Sequence, residues 1–405
     1  MDQMPEAARL PEDIDGQPLV QQAAALRPGL AQRRDAVERA ERLPGDLVAQ
    51  LRGAGFYKLL MPRALGGLEA DPLTFLRVIE RLSEGAPSVG WNVCNNSLIQ
   101  LITLSFPDDA VEEMHGGGEP SIVAGTAVQG GGQAVPVAGG YRVSGRWSFG
   151  SGCQEAGWML ASFQILDDGR PRCGPDGAPL FWRGVFRRAE VAIVPGSWDV
   201  AGMRGTGSFD WTVDDVFLPE RRTITHDWAQ VDNEWSRWPG ITFALPVHAW
   251  LGPHHSAIVT GIARAGIDAL RELASAKTPR GRGGLLRDNP QIQDAVGRAD
   301  TILDAGRSHR SATIAELWRT VAAGRQTTLE QRARARLAGV YATDSARAAM
   351  DLAYRFGGST SFRAGRLADC WRDLHVAAQA ATVGPEWYPL GGRAYLGMDP
   401  GPRLR

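Results

Sequence analysis

The sequence predicts an α+β chain in three parts: a helical domain over residues 1–119, a domain of short strands over 120–228, and a helical bundle over 229–405. Three observations support this. Apolar residues recur at helical spacing through the first part, alternate in twos between Ser121 and Phe217, and return to spacings of three and four beyond Pro219. Gly116, Gly117 and Gly118 punctuate the first switch. The middle part strings short strands together with no helical pattern between them, which makes a small barrel or sandwich.

In the first part, Ala24, Leu26, Leu30, Val37, Leu43, Leu47 and Leu51 follow helical spacing with charges between them, until Gly53 and Gly55 stop the run. Residues 56–68 form a turn-rich connection ending in Pro62, Arg63 and the Gly66–Gly67 pair, and 72–82 read as a second amphipathic helix. A third helix from Ser88 has an amide-rich side: Asn92, Asn95, Asn96 and Gln100. Such a side either flanks solvent or lines a cavity, because buried amides must find partners.

Strands are predicted over 121–128, 135–143, 158–163, 180–186, 190–194 and 209–217, with turns at 167–171 and 174–178. Four amphipathic helices follow, over 258–273, 292–303, 314–321 and 329–356, and short links between them make a bundle.

The 405 residues have a formal net charge of −1, without the clustered basic excess that nucleic acid or an anionic membrane would call for. The N-terminus lacks a basic region followed by an apolar run, and no segment is apolar for long enough to cross a bilayer. The four cysteines, Cys94, Cys153, Cys173 and Cys370, lack Cys-x-x-Cys spacing. This suits reduced thiols in a cytoplasm and argues against a zinc site or a disulfide frame.

Two stretches suggest chemistry. Residues 139–152 begin with a glycine turn, run as a half-exposed strand and end in a loop. That loop offers Trp147 and Phe149 as flat apolar surfaces and Ser148 and Ser151 as hydroxyls, while Gly150 and Gly152 allow close backbone approach. Residues 202–208 form a second loop, glycine-punctuated and hydroxyl-bearing, that feeds a strand with Trp211 and Val213 on one face.

Together these stretches resemble the middle domain of the acyl-CoA dehydrogenase fold. More narrowly, they resemble its two-component flavin-dependent monooxygenase branch, which includes the oxygenase component of p-hydroxyphenylacetate hydroxylase. The resemblance implies an acyl-CoA dehydrogenase-like architecture: an N-terminal α-helical domain, a middle β-barrel and a C-terminal four-helix bundle, with the flavin between barrel and bundle. It places Trp147, Phe149 and Ser151 around the isoalloxazine, with Gly205, Thr206 and Ser208 near its edge and Thr126 in a first loop. Lys277 and Arg282, in a basic loop that also reads as solvated surface, are candidates for the flavin phosphate. Gly357, Gly358 and Ser359 match a loop that reaches a flavin, often a neighbouring subunit's, so a homotetramer is expected. Arg372 and Asp373 match an Arg-Asp pair open to a structural or a catalytic role, and Trp91, Asn95, Asn96 and His248 are candidates for the substrate side.

The implied reaction is hydroxylation of an aromatic or heteroaromatic small molecule by reduced FMN or FAD and O2, through a C4a-hydroperoxide that lasts only where its N5 proton is held and water is excluded. No Gly-x-Gly-x-x-Gly sits between a predicted strand and helix, so the flavin is expected to arrive reduced from a separate NAD(P)H-flavin reductase. Relatives that hydroxylate phenols carry a histidine after the glutamine of the final helix and another in the helix after Gly-Trp. Here Ala380 follows Gln379, and residues 92–101 contain no histidine. A phenol ionises near pH ~10, so it gains from a base. The remaining candidates are His248, His254, His255 and His375, each of which also reads as a capping or packed residue. An indole, an amine nitrogen or a polycyclic phenol fits this departure. N-oxygenation of an amine, a true acyl-CoA dehydrogenase and a non-catalytic flavin-binding scaffold are the alternatives.

Overall fold

A computed structural model describes residues 9–118, 121–225, 237–279, 283–402 and 404. The helical first part comprises α1 (Pro18–Ala40), α2 (Gly45–Gly53), α3 (Pro72–Gly85), α4 (Pro87–Thr103) and α5 (Asp108–His115). α3 starts where Asp71 Oδ1 accepts from the amides of Leu73 and Thr74, both at 3.0 Å, with Pro72 preset for the first turn. Only Ala86 separates α3 from α4, and α4 is buried along nearly its whole length.

The strands are β1 (Val123–Gly125), β2 (Gly132–Val137), β3 (Gly140–Trp147), β4 (Trp158–Asp167), β5 (Arg170–Pro171), β6 (Trp182–Arg187), β7 (Ala192–Ile193), β8 (Trp211–Pro219) and β9 (Thr223–Thr225). They pair in the order β7-β8-β3-β2-β4-β6-β9, with β1 and β5 on β4. The expected closed barrel does not form: among the described residues, β7 and β9 end the sheet without pairing to each other. Its two halves meet only through a short parallel contact between β2 and β4, Gln133 with Gln164 and Ala134 with Ile165. At the centre Trp147 stands directly opposite Trp211 across β3 and β8, the rings stacked at 4.6 Å.

The last part holds α6 (Val247–Ala276), α7 (Pro290–Ala322), α8 (Leu329–Phe356), α9 (Arg366–Ala377) and α10 (Trp387–Tyr395). The two helices predicted over 292–303 and 314–321 are one continuous helix, α7, so three long helices replace the expected four. Gly306 lets α8 come close: a β-carbon there would lie 2.8 Å from Ser345. α6 and α8 touch in the same way, where a β-carbon on Gly339 would lie 2.7 Å from the Gly252–Pro253 backbone. No helix among the described residues is long and apolar enough to cross a membrane.

All three parts converge on Asp373. This fully buried carboxylate of α9 accepts from Arg34 of α1 at 2.6 Å and from the amide of Met203, in the loop before β8, at 3.1 Å. Removing one member of a buried pair strands the other charge, so Asp373→Ala should lower the unfolding free energy by about 3–5 kcal/mol in urea titration. A loss below about 1 kcal/mol, the range of surface pairs, would contradict this role.

Candidate active site

The loop after β3 and the loop before β8 are zipped together. Gly150 N donates to Phe209 O and Gly152 N to Thr206 O, both at 3.0 Å. From α4, Asn96 Nδ2 donates to Ser151 O at 3.2 Å and to Val123 O at 3.1 Å, fixing the loop against β1. Four side chains then form one line: Trp91 Nε1 donates to Ser151 Oγ at 3.0 Å, Ser151 Oγ lies 2.7 Å from Ser208 Oγ, and Ser208 Oγ donates to Thr206 Oγ1 at 2.8 Å. Thr206 Oγ1 donates to Met203 O at 2.8 Å, which ends the line.

Donor accounting fixes the direction of this line. An indole N–H only donates and a carbonyl only accepts. Thr206 spends its proton on Met203, Ser208 spends its own on Thr206, and Ser151 must therefore donate to Ser208. Every hydroxyl proton is committed, and what the line still offers a ligand is lone pairs. Beside it, the buried Oδ1 of Asn92 has no partner and lies 3.6 Å from where a β-carbon on Gly152 would sit. A planar heterocycle presenting an N–H fits this acceptor-lined wall. An acceptor nitrogen does not.

The two aromatic residues of the first loop separate. Trp147 is not a cofactor wall: it is 3% exposed, stacked on Trp211, and its Nε1 donates to Gly130 O at 2.9 Å and Ser162 O at 2.8 Å. Phe149 is 63% exposed, with φ at +67°, a backbone region a bulky residue rarely adopts, and its ring meets Trp198 edge-on at 6.4 Å. Gly205 turns away from the hydroxyl line, donating to Glu38 Oε2 at 3.3 Å, and a β-carbon there would overlap Val37 of α1. Thr126, nearly buried, uses its hydroxyl to accept from the amide of Val128 at 3.2 Å. A shallow depression of about 390 Å³ beside Gly131, Gln133, Ser144 and Gln164 shares none of these site residues.

The amides of α4 have different tasks. Asn96 and Gln100 face the sheet backbone, Gln100 donating to Ser121 O at 2.6 Å, so Asn96 positions the loop and does not line a substrate space. Only Trp91 and Asn95 of α4 stay half-buried, one turn apart. Below them Leu98 and Ile99 each keep 7% exposure and Ile102 keeps 8%, whereas Val93 and Cys94 keep none. Leu98, Ile99 and Ile102 share one face of α4 with Trp91 and Asn95. Across it stands His255, its ring 5.4 Å from that of Trp91, with Nε2 at 3.3 Å from Asn95 Oδ1 and Nδ1 at 2.9 Å from Thr382 Oγ1.

The other histidines do not join this group. His254 is fully buried edge-on against Phe75 at 4.8 Å. His375 pairs with Asp351 at 3.1 Å and packs on Trp371, on the α8–α9 surface. The side chain of His248 and the whole of Arg282 lie outside the described residues. Lys277 donates to Thr360 Oγ1 at 2.9 Å, which joins the predicted phosphate loop to the Gly357, Gly358 and Ser359 turn. Roughly 30 Å of helix separates this corner from His255, since Lys277 caps the far end of α6. Arg372 pairs with Asp369 at 2.9 Å beside Gly202.

Sequence reasoning missed Thr382, Arg34 and Glu38. Arg34 had a legible sign, because it falls between Leu30 and Val37 on the buried stripe of α1. Glu38 accepts from Ser88 Oγ and Gly205 N.

A helical part, an antiparallel-rich sheet and a helical part, meeting at a hydroxyl-lined loop pair, define a flavoprotein of the acyl-CoA dehydrogenase type. Family profiles agree: "Acyl-CoA dehydrogenase, N-terminal domain" matches residues 21–115 and "Acyl-CoA dehydrogenase, C-terminal domain" matches residues 254–384. The pigment production hydroxylase of Rhodococcus erythropolis is 30% identical over 91% of this chain and 93% of its own. The oxygenase subunit HsaA, a flavin-dependent monooxygenase of Rhodococcus jostii RHA1, is 30% identical over 94% of this chain and 98% of its own. The crystal structure of 3-HSA hydroxylase from Rhodococcus sp. RHA1 superposes with a TM-score of 0.88 at 27% identity, covering 97% of this chain and 100% of that one. The chain belongs to the acyl-CoA dehydrogenase-fold flavin-dependent monooxygenases, as an oxygenase component that works with reduced flavin.

Burial, then the charge of Asp373, raises the Glu38 carboxyl above its ordinary range, against the opposing pull of Ser88, Gly205 and Arg34. Between the ordinary and the raised value the folded chain holds a proton that the unfolded chain has released, so stability falls as pH rises through that window. Glu38→Gln should flatten this part of a stability-against-pH profile measured by thermal unfolding. A profile that keeps its slope would contradict the assignment.

Proposed function

We propose that the reduced flavin, FMN or FAD, binds with its ring against Ser151, Ser208 and Thr206, and that the substrate is an aromatic or heteroaromatic small molecule in the space bounded by Trp91, Asn95 and His255. The observation behind this reading is the direction of the hydroxyl line. A reduced flavin carries an N–H at the ring position where the oxidised form carries only a lone pair. Ser151, with its own proton committed to Ser208, accepts from the former and repels the latter. Once bound, the reduced flavin supplies the electrons that activate O2. The chain's part is to hold the ring proton at Ser151 Oγ, keep water out with Trp91 and the exposed ring of Phe149, and set the substrate across from Ser151.

The dehydrogenase alternative needs a free carboxylate aimed at the substrate. Glu38 and Asp373, the carboxylates tied to the loop before β8, are both occupied in positioning it. The corner formed by Lys277, Thr360 and the Gly357–Gly358 turn lies roughly 30 Å along α6 from His255. It supports a phosphate site for a neighbouring subunit's flavin, hence a homotetramer, with a separate reductase as the source of reduced flavin.

Anaerobic equilibrium binding tests the reading. The wild-type chain should bind reduced FMN or FAD more tightly than the oxidised form, and Ser151→Ala should weaken the reduced form by about tenfold, the worth of one hydrogen bond, with little change for the oxidised form. Equal losses for both redox states, or no preference in the wild type, would refute it.

A further inference from the structure

We propose that Glu38 of α1 is a positioning residue of the flavin site: it ties the start of α4 to the loop before β8, closes the hydroxyl line into a ring, and so maintains the line's preference for the reduced flavin. The proposal rests on the reading of the flavin site given above and adds to it a residue from the first helix.

The ring can be followed bond by bond. Glu38 Oε1 accepts from Ser88 Oγ at 2.5 Å, and Ser88 lies about one turn before Trp91 in α4. Trp91 Nε1 donates to Ser151, and the line passes through Ser208 to Thr206. Thr206 follows Gly205, whose amide donates to Glu38 Oε2 at 3.3 Å. One carboxyl group therefore takes a bond from beside each end of the line, one on each oxygen.

The surroundings of Glu38 are built for this contact. Arg34, about one turn earlier on α1, is bonded to Asp373 at 2.6 Å, which turns this face of the helix toward the site. Gly205 lets the loop approach: a β-carbon there would overlap Val37 and lie 3.0 Å from Glu38 Oε1. Asp373 and Glu41 also hold the loop, through the Met203 amide and the Arg204 side chain, but they tie it to α9 and α1. Glu38 carries the connection on to α4, where Trp91 stands.

The span matters because hydrogen bonds weaken steeply as distance and angle depart from the optimum. When the loop drifts from α4, a bond of the line opens, and the hydroxyl beside the gap rotates freely. Ser151 then donates as readily as it accepts, and the acceptor nitrogen of an oxidised flavin is no longer turned away.

Reach, rather than charge, is what the ring requires. Burial and then Asp373 favour the neutral acid at Glu38, against the pull of Ser88, Gly205 and Arg34. The acid closes the same ring, its O–H donating to Ser88 Oγ while its carbonyl oxygen accepts from Gly205. Glutamine repeats that pattern with an amide N–H and an amide oxygen. Aspartate keeps the carboxyl but is one methylene too short, and alanine offers neither group.

The test is the ratio of anaerobic affinities for reduced and oxidised FMN. Wild type and Glu38→Gln should both prefer the reduced form. Glu38→Ala and Glu38→Asp should lower the ratio by about fivefold, the worth of one hydrogen bond, and Glu38→Asp decides alone where the alanine variant does not fold. Leu30→Ala loosens the same helix two turns away, where Leu30 packs on Gly85 of α3, and should leave the ratio unchanged. A ratio within about twofold of wild type in the alanine and aspartate variants would overturn the proposal. So would an equal loss in Glu38→Gln, which would make charge the cause, or in Leu30→Ala, which would make general loosening the cause. A wild type without preference removes the reading of the flavin site itself, so the two failures are told apart.

Discussion

A carboxylate with no access to solvent is costly unless it is charge-paired and hydrogen-bonded, and Asp373 is both. Its partners come from the two other parts of the chain: Arg34 from the first helix and the amide of Met203 from the loop before β8. A break in this three-way contact would release more than stability. Met203 also supplies the carbonyl on which the hydroxyl line ends, so Asp373 anchors the acceptor that gives Thr206, Ser208 and Ser151 their direction. Arg204 with Glu41, and Arg42 with Glu155, add further ties between the end of α1 and the two loops.

The site follows from that anchoring. Hydroxyl groups are ambiguous hydrogen-bonding partners in isolation, and a row of them would ordinarily rotate to suit any ligand. Bounded by an indole N–H at one end and a backbone carbonyl at the other, this row can rotate only by breaking a bond. Its chemical preference is therefore built in before the flavin arrives, which is the sense in which such a site is preorganised.

Much of this was legible in the sequence, and the exceptions have physical reasons. The order of helical and strand periods and the two glycine-rich loops gave the architecture and the residues that meet at Ser151. The barrel did not follow, because the alternation that predicts strands says nothing about whether the first and last edges meet; here a two-pair contact between β2 and β4 leaves the sheet open. Trp147 was misplaced although β3 itself held the clue: Tyr141, Val143 and Trp147 share one face of the strand, and that face is buried. Phe149, past the end of the strand, escapes the alternation and stays exposed. Four predicted helices became three because α7 runs unbroken from Pro290 to Ala322, through Gly306, where α8 packs closely. The pairing of His255 with Thr382 joins residues 127 positions apart, and no local pattern announces a contact of that kind.

The claim on which these relations depend is that Ser151 meets the reduced ring as an acceptor. An anaerobic crystal structure of the chain with reduced FMN or FAD, at a resolution that fixes the ring plane, measures this directly. The account predicts a ring nitrogen bearing hydrogen within hydrogen-bond distance of Ser151 Oγ, with the contacts from Trp91 to Met203 unbroken. A ring seated elsewhere, or a Ser151 hydroxyl turned away from Ser208 toward the flavin, would contradict it.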